Sequence, residues 1–448
     1  MSTACVIGAG PSGITACKAL ADRGIAYDCF ERGSEVGGIW RYGNDNGMSS
    51  AYRSLHINTS REQMEYEDFP MPSDYPDYAD HERLARYFDA YVDEFGLRER
   101  IWFRTEVTAV EPLPGRRWRV TYREVGDDQP ITREYDAVIV ANGHHWDPRL
   151  PEPAFPGRER FQGEQIHSHA YKAPGILDGK RVVILGIGNS ACDIAVESSR
   201  IAERTMMAIR SGTHVMPKYL HGKPVDALSN AVTGRMPLWL QRLYLGLELR
   251  LAVGDVTDYG LPEPRHKLLQ AHPTVSSELL PRIGHGDILV KPNIESFGER
   301  TVRFADGSEE EVDLVIYATG YRISFPFLDP AIVSAEDNRI DLYRMIAPVD
   351  RPGLYFLGLI QPLGAVMPLV EHQSRWVADL IEGSARLPSK AAMRLSNALR
   401  RRRMARRYVA SKRHTIQVDF YPYMYEMKRE RRRACRRASR PARLPARR

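Results

Sequence analysis

The stretch ACVIGAGPSG at residues 4–13 joins an apolar run to a glycine-rich loop close to the start of the chain. The run predicts a buried strand, and the residues after the loop favour a helix. In this context Gly8 allows a tight turn, Gly10 lets backbone N–H groups approach a pyrophosphate, and Gly13 lets helix and strand pack closely. Because helix N-termini carry unpaired N–H groups, the stretch predicts a dinucleotide site.

A second loop of the same kind, GIGNSA at residues 186–191, follows the apolar run VVIL at residues 182–185. Strand-forming residues precede this loop and helix-forming residues follow it, as in the first case. Ala191 stands at the third glycine position, where its small methyl group still meets the packing requirement. Two such loops predict that one chain holds two dinucleotides and passes electrons between them.

Opposite charges follow the second strand of each unit. The strand predicted at residues 26–30 ends at Glu31, which is expected to accept hydrogen bonds from a ribose diol, unless it is a solvated acid at the strand end. The matching strand at residues 205–209 ends at Arg210 and Ser211. A cation there suits the 2′-phosphate of NADPH, the alternative being an ordinary surface arginine. This exchange of charge assigns FAD to the first loop and NADPH to the second.

Cysteine usage and chain length bound the class of protein. The 448 residues allow two or three domains with their own cores. The five cysteines form no CxxC pair, zinc spacing or disulfide framework. This predicts a reducing, cytoplasmic location and argues against a disulfide reductase. The first loop begins at Gly8, so no signal peptide is expected before it.

The formal net charge of +6 is unevenly distributed. Residues 428–448 contain ten Arg, one Lys and one Glu, which gives this segment +10 and leaves −4 on the rest of the chain. Low apolar content predicts a disordered basic tail. The tail is either simply solvated or in peripheral contact with anionic membrane lipids or nucleic acid. Since no aromatic residues alternate with the arginines, specific nucleic-acid binding is not expected.

The elements alternate in the α/β manner and predict two Rossmann-like dinucleotide-binding domains, with the NADPH domain inserted into the FAD domain. A buried run at residues 312–321 indicates that the chain returns to the first domain there. The predicted divisions are 1–157 and 296–390 for the FAD domain, 158–295 for the NADPH domain, 391–427 for a C-terminal helical extension and 428–448 for the basic tail.

Residues 236–253 form the most apolar helix candidate of the chain. The sixteen residues after Pro237 would span about 24 Å as a helix, less than the roughly 30 Å of a hydrocarbon core, and two arginines lie among them. No transmembrane segment is therefore predicted. We expect a buried helix or one that caps the active site, with interfacial membrane contact as the lesser alternative.

Between the two loops, FQGEQIHSHAY at residues 161–171 is similar to the FxGxxxHxxx(Y/F) fingerprint of the flavin-containing monooxygenases. The resemblance covers residues 3–385. The related Baeyer–Villiger enzymes end this fingerprint with Trp-Pro or Trp-Asp, whereas this chain has Tyr171-Lys172, which favours the N/S-oxygenating branch. Further segments that resemble the family are GGIWRY at 37–42, NTS at 58–60, GHH at 143–145, GNS at 188–190, ATGY at 318–321 and QSRW at 373–376.

The resemblance implies an NADPH- and O2-dependent flavoprotein monooxygenase similar to N,N-dimethylaniline monooxygenase. Reduced FAD would react with O2 to give a C4a-(hydro)peroxyflavin, which oxygenates the amine nitrogen or sulfide sulfur of a small molecule. Conversion of ketones to esters or lactones by the Baeyer–Villiger reaction is the alternative. A redox-sensing flavoprotein with negligible turnover is a more distant one. The substrate is not readable from the sequence, and a homo-oligomer is allowed but not specified.

The resemblance also implies roles for individual residues. Asn58, in the NTS segment, maps to the asparagine that supports oxygenation and is the predicted catalytic residue, the alternative being an ordinary turn residue. His167 maps to a residue that couples NADPH binding to flavin chemistry, and no metal site is predicted. The predicted cofactor-binding residues are Gly8, Gly10, Pro11, Ser12, Gly13, Glu31, Arg32, Gly38, Trp40, Asn58, Thr59, Val107, Gly186, Gly188, Asn189, Ser190, Ala191, Arg210, Ser211, Thr319, Gly320 and Gln361.

Overall fold

The computed structural model describes residues 2–230, 233–409 and 415–439. Helices and short strands alternate along them, which confirms the predicted mixed α/β class. The helices are α1 (Pro11–Ala21), α2 (Arg61–Met64), α3 (His81–Glu94), α4 (Asn189–Ile201), α5 (Leu238–Ala252), α6 (Leu279–Gly284), α7 (Met367–Glu382), α8 (Lys390–Arg407) and α9 (Phe420–Ala438).

The first sheet contains five parallel strands and begins with the apolar run that precedes the first glycine loop. Side chains on both faces of its central strands are buried, as expected for a parallel sheet covered on both sides. Helices α1 and α7 pack against each other beside this sheet. In spatial order the strands are Leu354–Phe356, Ala137–Val140, Thr3–Ile7, Ala26–Phe30 and Ile101–Trp102.

The second sheet repeats this arrangement around the apolar run before the second loop. Alternate side chains of its central strand enter two different cores, with Val182 and Ile184 in one and Val183 and Leu185 in the other. All of its strands lie in sequence between residues 140 and 354. In spatial order they are Ile288–Lys291, Arg204–Ala208, Arg181–Leu185, Leu314–Tyr317 and Glu164–His167.

One strand lies in a different sheet from the one expected. The sequence placed the buried run at residues 312–321 in the part of the chain that returns to the first unit, but its strand Leu314–Tyr317 pairs with Arg181–Leu185 of the second sheet. The returning strand is Leu354–Phe356, which pairs with Ala137–Val140. A run of apolar residues predicts a buried strand but does not show which strands it pairs with. The strand itself was therefore predicted correctly, and its assignment to the first sheet was wrong.

Smaller sheets, most of them antiparallel, accompany the two five-stranded parallel sheets. Two three-stranded sheets consist of Thr105–Pro112, Trp118–Glu124 and Ile131–Tyr135, and of Ile294–Phe297, Thr301–Phe304 and Glu309–Glu311. The two-stranded pairs are Asp147–Pro148 with Tyr321–Arg322, Val215–Met216 (parallel) with Thr274–Val275, Tyr219–Leu220 with Lys223–Pro224, Leu342–Tyr343 with Ala347–Pro348, and Gln361–Leu363 (parallel) with Gln417–Asp419.

Helix α5 lies where the apolar candidate predicted a helix, but it is not a buried one. Only Leu249 of this helix is buried, whereas Trp239 and Leu251 are 67% and 75% exposed. The opposite face, with Leu238 and Leu245, lines the large cavity described below, so α5 covers that cavity from the outside. Among residues 2–230, 233–409 and 415–439, no helix has the length and hydropathy that crossing a membrane requires.

The basic C-terminal segment is helical as far as Ala438, so the predicted disorder is wrong for residues 428–438. Helix α9 packs on α7, and its residue Ala434 is fully buried in the main core. Arg431 donates to the carboxylate of Asp379, which is 2% exposed, and Arg23 pairs with the same carboxylate. The carboxylate of Asp379 thus offsets part of the positive charge of a segment whose composition alone predicted disorder. The predicted tail beyond residue 439 lies outside the described residues.

Replacement of Arg431 tests whether this helix is part of the folded core. Arg431→Ala removes a charged hydrogen bond to the buried carboxylate of Asp379, which still pairs with Arg23. The free energy of unfolding should therefore fall by about 1.5 kcal/mol. Thermal or denaturant unfolding measures the change. Arg433→Ala is the control because Arg433 is exposed on the same helix. Equal stability of both variants and the wild type would contradict a structural role for Arg431.

Candidate functional site

Both glycine loops open onto one cavity of about 1930 Å³. The loops follow the carboxyl ends of the strands Thr3–Ile7 and Arg181–Leu185, so the carboxyl edges of the two parallel sheets share this cavity. Every residue predicted to bind a cofactor lines it except Gly13, which lies behind the first loop. The sequence therefore identified residues from distant parts of the chain that the fold brings together.

The first loop has the shape that close approach of a phosphate requires. Gly8 has φ +98°, and a Cβ atom there would lie 2.8 Å from the carbonyl oxygen of Ala141. A Cβ on Gly13 would lie 1.8 Å from the carbonyl oxygen of Gly8, whereas one on Gly10 would meet nothing closer than 3.7 Å. Helix α1 starts at Pro11 without a side-chain cap, so its first N–H groups can bind an anion.

Glu31 has a second role besides the predicted one. Its carboxylate accepts the N–H of Ala9 at 2.7 Å, the N–H of Gly33 at 2.8 Å and the side-chain amide of Asn46 at 3.2 Å. Glu31 therefore holds the first loop against the loop after the second strand. Since a carboxylate offers about four acceptor positions, Glu31 can still accept a hydrogen bond from a ribose hydroxyl.

The second loop reproduces the turn of the first. Gly186 has φ +131°, and a Cβ there would lie 2.8 Å from the carbonyl oxygen of Ala318, as Gly8 would from Ala141. Helix α4 also begins without a side-chain cap. Asn189 accepts the N–H of Val275 at 2.9 Å. Ala191 is fully buried, so the second turn accommodates a methyl group where the first admits only glycine.

Two arginines bring positive charge to the cavity beside the second loop. Arg210 is exposed at the end of its strand, as expected. Arg149 was not predicted; it lines the same cavity, and its guanidinium donates to the carbonyl of Thr319 at 3.0 Å. Burial, followed by the positive charges of Arg210 and Arg322, lowers the pKa of Arg149. Such a concentration of cations suits a phosphate-bearing ligand.

Both ring nitrogens of the fingerprint histidine, His167, form hydrogen bonds with the protein backbone. The Nε2 atom of His167 donates to the carbonyl of Gly320 at 3.0 Å, and Nδ1 accepts the N–H of His169 at 3.0 Å. Burial lowers the pKa of His167 to about 4, so the ring is neutral. His167 thus ties the fingerprint to the Thr319–Gly320 turn at the cavity wall. In the described part of the chain, no three His, Cys, Asp or Glu residues form a group that could hold a metal ion.

His144 lines the cavity and was not among the predicted site residues. Its Nε2 atom is buried and, among the described residues, has no hydrogen-bond partner. Burial lowers the pKa of His144 to about 4. A neutral imidazole with an unused polar atom is expected where a ligand completes the hydrogen bonding. The GHH segment at residues 143–145 pointed to this region, but the sequence could not show that the His144 side chain faces the cavity.

Asn58 and Thr59 line the cavity between the two loops. The N–H of Ile57 donates to Ala79 at 3.0 Å, and the N–H of Ser60 donates to the carboxylate of Asp226 at 2.6 Å. Within the described ranges the carboxamide of Asn58 has no hydrogen-bond partner. An amide held in place by its neighbouring backbone, with both polar atoms unused, can bind a ligand in the cavity.

Comparisons with known proteins point to one family. Residues 2–432 match the family described as flavin-binding monooxygenase-like. The chain is 39% identical over 437 residues to flavin-containing monooxygenase 5 of Rattus norvegicus, covering 94% of this chain and 81% of the relative. It is 36% identical over 444 residues to dimethylaniline monooxygenase (N-oxide-forming) 2 of the same species, covering 95% and 82%.

Solved structures show the same fold. S-allyl-L-cysteine S-oxygenase from Allium sativum superposes with a TM-score of 0.72 and 26% identity, covering 97% of this chain and 88% of that one. Cyclohexanone monooxygenase gives a TM-score of 0.72 at 17% identity, covering 97% and 99%. At that identity the second likeness describes the fold alone.

The space beside Gly10 allows the first loop to be tested without disturbing the fold. Gly10→Ala adds a methyl group that contacts the protein only at ordinary distance and that occupies the cavity, so the variant should fold but lose flavin. Gly13→Ala, which would clash with the Gly8 carbonyl, should instead lower the melting temperature. Flavin absorbance per protein and thermal unfolding separate the two effects. Normal flavin content in Gly10→Ala would show that the loop does not hold the pyrophosphate.

Proposed function

The chain belongs to the flavin-binding monooxygenase-like family, and from this we propose that it oxygenates a soft nucleophile, an amine nitrogen or a sulfide sulfur, in a small molecule. As a member of this family it is an FAD-containing, NADPH-dependent monooxygenase. The observation that carries the proposal is the single cavity lined by both glycine loops and by Asn58. The names of two relatives, one N-oxide-forming and one an S-oxygenase, support the choice of substrate class.

The residues present fit both cofactors. At the first sheet, the space at Gly10, the uncapped start of α1 and the carboxylate of Glu31 would hold FAD. At the second sheet, the uncapped start of α4 and the cation of Arg210 would hold NADPH. We propose that these sheets are two Rossmann-like domains. The second is inserted into the first, because its strands lie between residues 140 and 354 in sequence.

Bound FAD would supply hydride acceptance from NADPH and activation of O2, while the protein binds, orients and shields the reactants. Helix α5 covers the cavity and limits the entry of water. Asn58 offers an amide donor at the cavity wall, and the neutral ring of His144 offers one more polar atom without introducing a charge. In this mechanism a preorganised donor stabilises negative charge on oxygen more than a mobile water would.

Product analysis tests the proposed function. Purified holoenzyme with NADPH and O2 is given N,N-dimethylaniline, thioanisole or cyclohexanone, and products are identified by mass spectrometry. The expected products are the N-oxide and the sulfoxide. Formation of the lactone alone would replace the proposal with Baeyer–Villiger oxidation. Flavin binding without consumption of NADPH would replace it with the redox-sensing alternative.

Arg210 is proposed to set the preference for NADPH over NADH. Arg210→Ala should weaken NADPH binding by about 1.5–3 kcal/mol, since it removes a charged contact to the 2′-phosphate, and should leave NADH unaffected. Steady-state KM values for both nicotinamides measure the effect. Arg204→Ala is the control because Arg204 lies at the other end of the same strand. An equal loss for NADPH and NADH would contradict the assignment.

Asn58 is proposed to support oxygen transfer rather than cofactor binding. Removal of one preorganised donor of this kind typically costs about 2.7–4 kcal/mol, which corresponds to a loss of rate of more than a hundredfold. Asn58→Leu should therefore retain FAD and reduction by NADPH but release hydrogen peroxide in place of product. Flavin content, the rate of flavin reduction and the ratio of product to NADPH report these steps separately. Unchanged coupling in this variant would exclude the role.

Contact of the basic C-terminal segment with a membrane surface and formation of a homo-oligomer stay predictions from the sequence.

A further inference from the structure

The segment that carries Asn58 is held on one side by the first part of the chain. The N–H of Ile57 donates to the carbonyl of Ala79 at 3.0 Å, and the N–H of Arg61 donates to Asp77 at 2.7 Å. These backbone hydrogen bonds fix the segment at both ends. They leave Asn58 and the two residues after it to be positioned by other contacts.

The other side of the segment is held by a different part of the chain. The carboxylate of Asp226 accepts the N–H of Ser60 at 2.6 Å. The ammonium group of Lys218 lies 3.5 Å from the carbonyl oxygen of Ile57 and 4.9 Å from the ring centre of Tyr78. One charged residue thus contacts the backbone immediately before Asn58 and another contacts it two residues after.

Both charged residues come from the connection between two strands of the second sheet, Arg204–Ala208 and Ile288–Lys291. Asp226 also lines the cavity, and its second oxygen is buried without a partner among the described residues. Burial raises the pKa of Asp226, and the Ser60 N–H opposes this. A carboxyl group is costly to bury unless it is hydrogen-bonded, so the contact with the Ser60 N–H stabilises Asp226 in this position.

We propose that Asp226 and Lys218 are positioning residues, which hold the backbone on either side of Asn58 so that its carboxamide faces the reacting oxygen. This inference rests on the proposed function of Asn58. It means that the part of the chain containing the second nucleotide loop also controls the geometry of oxygen transfer at the first. Displacement of a catalytic group by about 1 Å can cost about a hundredfold in rate. A small shift of the backbone on either side of Asn58 is therefore enough to uncouple NADPH oxidation from product formation.

The central variant is Asp226→Ala in the holoenzyme. It should keep its FAD, its KM for NADPH and its rate of flavin reduction, while product formed per NADPH falls about tenfold and hydrogen peroxide rises. Asp226→Asn retains an acceptor oxygen for the Ser60 N–H and should recover most of the coupling. Tyr219→Phe is the matched control, since the Tyr219 hydroxyl also reaches from the second part of the chain to the first, at the carboxylate of Asp77, but forms no hydrogen bond with residues 57–60 in the described part of the chain.

A double-mutant cycle distinguishes action through Asn58 from a separate effect. If Asp226 acts by placing Asn58, then Asp226→Ala should change coupling in the wild type but not in the Asn58→Leu background. Additive losses, or a loss confined to flavin content or the KM for NADPH, would overturn the proposal. Lys218→Met, which removes the ammonium group from the Ile57 carbonyl and the Tyr78 ring but keeps a long unbranched side chain, should reduce coupling in the same direction and provides a second variant if Asp226→Ala does not fold.

Hydrogen exchange tests the same proposal without catalysis. In flavin-loaded protein, Asp226→Ala should accelerate exchange of the amides at residues 57–60 at least tenfold and leave those at residues 8–14 unchanged. Unchanged exchange at residues 57–60 would overturn the proposal even if activity changes. Failure of the wild type to form any oxygenated product would instead refute the proposed function, and the exchange result would still decide whether Asp226 holds this segment.

Discussion

The contact between a glycine and a neighbouring carbonyl group sets the geometry of both nucleotide loops. At Gly8 and at Gly186 the space that a Cβ atom would need is occupied by the carbonyl oxygens of Ala141 and Ala318, each just after the adjacent strand. Because no side chain fits, the chain turns at once from strand to helix, and each helix presents its free N–H groups at the carboxyl edge of its sheet. The shared cavity follows from placing two such edges opposite each other.

The rest of the molecule closes this cavity and fixes the groups in it. Helix α5 covers it from outside, and residues 415, 416 and 419–422 line it as well. Helix α9 is held on α7 by a buried carboxylate and by Ala434, so the basic C-terminal region belongs to the folded structure as far as residue 439. Two segments of the cavity wall are fixed by hydrogen bonds from residues beside it: His167 bonds to the carbonyl of Gly320, and the N–H of Ser60, next to Thr59, donates to Asp226. Such fixed groups need little reorganisation when a ligand binds.

Hydrogen bonds join the part of the chain that contains the second glycine loop to the part that contains the first. Asp226 reaches the backbone of Ser60, and Lys172, directly after the fingerprint, donates to the carbonyl of Ser49 at 2.6 Å. Both contacts enter the same stretch of the first unit, on either side of residue 55. The fingerprint and the first glycine loop, which are far apart in sequence, are thus joined through this stretch.

The sequence by itself determined the two strand–loop–helix units, the acid after one and the cation after the other, and the family, because glycine spacing and apolar runs act on local backbone conformation. It predicted twenty-one residues that line one cavity. It did not determine that Leu314–Tyr317 joins the second sheet, that the arginines after residue 427 form a helix, or that Arg149, His144 and Asp226 reach the cavity. Only tertiary structure decided these, because strand pairing, charge neutralisation and cavity lining depend on which distant residues meet, and local patterns do not encode the partner.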